Sequence, residues 1–98
     1  MDTFQFEWSD AKNQSNQRKH GIDFDTASLV FDDPNALSQQ DRIEDGEMRW
    51  QTIGLVSGCL VLLVAHTVHE GEHEVIRIIS ARRADPKERN RYESQIIY

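Results

Sequence analysis

Apolar and polar positions change period several times along this chain, and each change marks an element. "FQFEW", Phe4 to Trp8, alternates apolar with polar residues and predicts a short strand. Ser9 then supplies an N-cap hydroxyl, and Asp10 suits the positive end of a helix. From Asp10 to His20 the chain is polar almost all round, with Ala11 its only aliphatic residue. A helix there must lean on its neighbours. Lys19 and His20, followed by Gly21, form its stop. A second helix restarts at once. Asp23 is placed to cap it, Ile22 can staple onto Ala27, and Phe24, Ala27 and Phe31 share one face. Asp32, Asp33 and Pro34 end it.

"ALSQQD" predicts a short strand and "RIEDGE" an acidic turn. Three stronger strands follow. Met48 to Leu55 contains the alternating "RWQTIGL", Cys59 to Val68 is apolar on both faces until His66, and Glu74 to Ser80 is the last. Short links at Val56–Gly58 and His69–His73 favour an antiparallel meander over crossover connections. The final element has the clearest local chemistry. Asp85 can cap, Pro86 suits the first helical position, and Glu88 sits three residues after the cap. This predicts a helix from Pro86 to about Gln95.

Composition adds limits. At 98 residues, with 38% hydrophobic and 29% charged, the chain has the make-up of a single globular domain, residues 1–98. No apolar run reaches the roughly 18 residues of a membrane span. The first residues lack the apolar core of a signal peptide, and the single Cys59 allows no internal disulfide. No membrane association and a cytoplasmic location are the expectations. Charge changes the picture more. The net charge of −6 is unevenly spread: residues 1–75 carry 5 basic and 14 acidic side chains, residues 76–91 six basic against two acidic. An anionic partner at one face, a basic protein partner at the other, or both, would suit such asymmetry.

Three constellations could carry chemistry. His66, His69 and His73 lie among Glu70, Glu72 and Glu74 in "HTVHEGEHE", and imidazole with carboxylate can hold zinc. Their order is strand, turn, strand, which suits a self-solvating hairpin tip at least as well. Cys59 opens an apolar strand and reads as a small buried residue rather than a nucleophile. The densest cationic stretch is "IRIISARRADPKER", with Arg77 on a strand and Arg82 and Arg83 at its end. Guanidinium groups can bind two phosphate oxygens at once, as phosphoryl-transfer chemistry requires. The same arginines could instead pair with the abundant Asp and Glu.

Taken together, "FEW", "DAKNQSNQRKHGIDFDTASLVFDDP", "RWQTIGL", "VAHT" and "IRIISARRADPKERNRYE" resemble the BrnT toxins of bacterial type II toxin–antitoxin pairs, from Phe6 to Glu93. The resemblance implies an α+β, RelE-like fold: two N-terminal helices, an antiparallel sheet of about four strands and a C-terminal helix. It implies a ribonuclease that arrests translation without a metal or other cofactor. It also implies a BrnA-like ribbon-helix-helix antitoxin, a heterotetrameric complex, and operator DNA bound through that antitoxin. On this reading Arg82, Arg83 and Arg77 bind and stabilise phosphate, and His66 acts as acid or base. Lys19, His20 and Thr67 contact RNA, and Tyr92 stacks on a base. A non-catalytic corepressor that only binds the antitoxin is the other class of function open to this sequence.

Overall fold

The computed structural model describes residues 4–96. The elements run β1 (Phe4–Glu7), α1 (Asp10–His20), α2 (Phe24–Ser28), a 3-10 turn (Leu29–Asp32), β2 (Leu37–Glu44), β3 (Glu47–Val56), β4 (Leu60–Glu70), β5 (Glu74–Arg83) and α3 (Pro86–Ser94). They form an α+β fold around one five-stranded sheet in the order β1-β5-β4-β3-β2. β2 to β5 make the expected antiparallel meander. The sheet is nevertheless mixed, with five strands rather than about four antiparallel ones. β1 joins β5 in parallel, because the whole meander intervenes between them in the chain.

The helices form where their caps demand. Ser9 Oγ accepts from the Lys12 N–H, and Gly21 closes α1 at φ 72°, a conformation few other residues adopt cheaply. Asp23 accepts from the Thr26 N–H. The second helix is shorter than its periodicity suggested: after Ser28 it tightens into the 3-10 turn, which presses Val30 onto β3. That approach needs Gly54, where an added Cβ would lie 2.9 Å from the Val30 Cβ. Asp85 and Glu88 make a full capping box at α3. "RIE" is strand rather than turn, because Asp45 and Gly46 alone reverse the chain, both at positive φ. Cys59 is exposed, since it belongs to the turn before β4 and not to the strand.

Two cores lie on the two faces of the sheet. On the front, Phe24, Ala27 and Val30 pack on Leu62, Val64, Ile76, Ile78 and Ala81. On the back, Tyr92 of α3 packs with Ile53, Leu63 and Ala84. Ile78 and Ala81 can both face the front only because the β4–β5 pairing slips at Ala65/His66, leaving Ile79 as the extra residue of a bulge. The polar helix α1 is held differently. Asn16 donates from Nδ2 to the Ile22 and Ala81 carbonyls and accepts the Ala81 N–H, so its amide stands in for a neighbouring strand along the edge of β5. Asn13 likewise accepts the Phe24 N–H.

Candidate functional site

α3 covers only one end of the back face. At the other end one row of side chains crosses the sheet. Glu7 of β1 pairs in register with Arg77 of β5, and Arg77 with Thr67 of β4. Trp50 pairs with His66, so the next position brings Arg49 of β3 beside Thr67. The 3.3 Å ion pair between Glu47 and His69, two residues further along both strands, keeps that register. Neighbouring strands lie about 4.8 Å apart, so Glu7, Arg77, Thr67 and Arg49 stand side by side.

The row has unused hydrogen-bonding capacity. Thr67 is 2% exposed, and its Oγ1 has no partner. The buried Arg49 Nε makes no hydrogen bond either, though the Glu44 carboxylate lies 3.8 Å from it. Leaving such a group unsatisfied costs about 1–3 kcal/mol. Arg77 reaches Glu7 at 3.3 Å, but both side chains are close to half exposed, so water can exchange into that pair. The two guanidinium groups, Arg77 beside Glu7 and Arg49 beside Glu44, carry the charge and donors that a phosphodiester needs. At the β5 bulge, Lys12, Lys19 and His20 of α1 line a separate shallow groove with Ile79 and Ser80. With its amide oriented to suit the network, Gln39 accepts from Arg91 of α3 at 3.1 and 3.3 Å.

The family model for "Ribonuclease toxin, BrnT, of type II toxin-antitoxin system" matches residues 8–88. The chain belongs to the BrnT toxin family. A solved relative agrees in fold. The crystal structure of the Brucella abortus ribonuclease toxin BrnT shares 24% identity and a TM-score of 0.60, over 85% of this chain and 99% of that one. No curated protein matches this sequence.

In this BrnT chain the residues singled out from sequence fall into three groups. Arg77 and Thr67 meet in the row, whereas Lys19 and His20 line the separate groove at the β5 bulge. Arg82 lies on the same face but is engaged: its guanidinium makes two bonds to Glu88, at 2.7 and 2.9 Å, and the pair ties α3 to β5. Those bonds raise the Arg82 pKa and hold the Glu88 carboxyl below its usual value, burial opposing both shifts. Arg83 pairs with Leu62 of the front core, and its exposed side chain lies at the sheet's end beside Cys59 and Arg89. Tyr92 is 3% exposed, its ring in the back core and its hydroxyl bonded to Asp33, which leaves no ring face for a base.

His66 is on the front face, away from the row. Its Nε2 lies 2.7 Å from Thr52 Oγ1, which in turn lies 2.7 Å from Ser38 Oγ. Burial lowers its pKa to about 4, only partly offset by the Thr67 main chain, so the ring is neutral at neutral pH. The three histidines do not converge. Among the described residues no group of three His, Cys, Asp or Glu side chains could hold a metal. No helix of the described residues is long and apolar enough to cross a membrane.

Sequence reading passed over Arg49 and Glu7. Both carried a signal. In "RWQTIGL" strict alternation sets Arg49 opposite in face to Trp50, and in "FEW" it sets Glu7 opposite to Phe6. A search for dense runs of charge cannot find a row whose members come from four strands.

Proposed function

We propose that this chain is a metal-independent endoribonuclease toxin that cuts RNA on the back face of its sheet. The observation that carries this reading is the strand register that sets Arg77 and Arg49 on either side of Thr67, on the end of the back face that α3 leaves uncovered. A phosphodiester laid across the row would meet both guanidinium groups. Its neighbouring 2′-OH then attacks phosphorus, giving up its proton to Glu7 as Arg77 turns from that carboxylate to the phosphate. Arg49 and Arg77 donate to the non-bridging oxygens as charge develops there, with Thr67 between them. The P–O5′ bond breaks, and His20 supplies the proton to the leaving oxygen. Lys12 and Lys19 hold the strand entering along α1, while Arg82 keeps α3 in place. Such cleavage arrests translation. A BrnA-like, DNA-binding antitoxin in a heterotetramer neutralises the toxin and ties it to the operator.

The test uses the refolded chain with a single-stranded RNA in the presence of a chelator. Cleavage should proceed, and Arg49→Ala with Arg77→Ala should abolish it without unfolding the protein. A folded double variant that cuts at the parent rate removes the row from the mechanism. Tight antitoxin binding with no cleavage by the parent chain would instead favour the corepressor.

A further inference from the structure

The front face carries a second opening, unlike the arginine row in every respect. Beyond the reach of α2, an open groove of about 580 Å³ is lined by Phe4, Phe31, Trp50, Val68 and Ile76, with His66 and Ser38 among them. Its volume is that of a ligand pocket. Phe31 packs at 6.3 Å from Phe4 and meets the His66 ring edge-on at 5.0 Å, so the apolar floor is preformed. Phe4 is 39% exposed. His66 is 3% exposed, and its Nδ1 has no hydrogen-bond partner.

The rim selects the occupant. Glu70 and Glu74 lie directly opposite each other across β4 and β5. Like charges so placed repel, and neither forms an ion pair among the described residues. The arginine of that hairpin, Arg77, points to the other face. Two unneutralised carboxylates at the mouth of an aromatic groove repel a phosphate chain and attract a cation.

We propose that this groove is the antitoxin's docking site, filled by a cationic segment. One apolar side chain enters between Phe31 and Trp50, and lysine or arginine beside it lies against Glu70 and Glu74. The assignment rests on the toxin–antitoxin reading above, but not on the cleavage mechanism. It divides the molecule: RNA on the back of the sheet, the antitoxin on the front.

The experiment titrates the full ¹⁵N-labelled chain with a blocked nine-residue peptide of alternating lysine and leucine carrying a central phenylalanine. Expected are shifts confined to Phe31, Trp50, Val68, Glu70 and Glu74. Glu70→Lys with Glu74→Lys should weaken binding at least tenfold and leave RNA cleavage at the parent rate. The same peptide with glutamate for lysine should not bind. The antitoxin should displace the cationic peptide. Absence of binding, shifts centred on Arg49 and Arg77, or an RNA oligonucleotide seated in the groove would overturn the proposal. So would an antitoxin that binds tightly while the peptide stays in place. A chain that holds peptide and antitoxin as expected but cuts no RNA would strike the ribonuclease reading and leave the groove standing.

Discussion

The two faces of one sheet are built to opposite specifications. The back presents Arg49, Thr67 and Arg77 in a row, with Glu44 beside one arginine and Glu7 beside the other. The front presents aromatic rings behind two facing carboxylates. Adjacent residues of the same strands supply both: Arg49 and Trp50 on β3, His66 and Thr67 on β4, Ile76 and Arg77 on β5. Strand alternation therefore lets an acidic chain hold a cationic surface without mixing the two fields. Net charge is a poor guide to such a molecule, because its ligands meet one face at a time.

The largest effect should come from breaking the back face alone. Arg49→Ala with Arg77→Ala is expected to lower RNA cleavage by about 100-fold or more. Glu70→Lys with Glu74→Lys should leave it unchanged, as single-turnover rates on a labelled RNA would show. A next contrast uses pH. The folded pKa of His66, about 4, lies below its unfolded value of 6.5. Above pH 6.5 both states are neutral there and stability is full. As pH falls from 6.5 towards 4 only the unfolded state takes the proton, so the fold loses roughly 3 kcal/mol. Urea titrations across that range should show the loss, and His66→Asn should lack His66's share of it.

Smaller again is Gly54→Ala, which presses on Val30 behind the front core and should cost about 1–3 kcal/mol by the same measurement. Smallest is Glu88→Gln. It loosens Arg82, a partly exposed ion pair, and should change stability by about 1 kcal/mol or less. Cleavage should then move less than tenfold. If Glu88→Gln instead matched the loss from Arg49→Ala, Arg82 rather than the row would carry the phosphate.

Local chemistry was legible in the sequence, and long-range placement was not. The caps at Ser9, Asp23 and Asp85 fall where side-chain type and spacing put them. The hairpin links and the polar character of α1 were equally readable. The faces of β5 were not. Simple alternation from Arg77 leads to Ile79, Ala81 and Arg83, but the bulge at Ile79 shifts the phase. Arg82 thereby joins Arg77 on the back, and Arg83 is sent to the sheet's end. Nothing in "RIIS" marks the extra residue, since Ile78 and Ile79 are both apolar. Nor could His66 be placed without Thr52, fourteen residues away and adjacent only through the β3–β4 register. Tyr92 read as a stacking ring because two of the residues that bury it, Ile53 and Leu63, come from strands far back in the chain.

The Asn16 amide has a consequence for assembly. A sheet normally offers two rims to which a foreign strand can add, and adding at both produces fibres. Here β1 occupies half of the β5 rim and the Asn16 amide bonds the far part at Ala81. Among the described residues the outer strands are then β1, only four residues long, and β2, with its own irregularity at Gln40/Arg42. A short strand at one rim and an irregular one at the other make poor templates for strand addition, so the sheet resists growth into a filament.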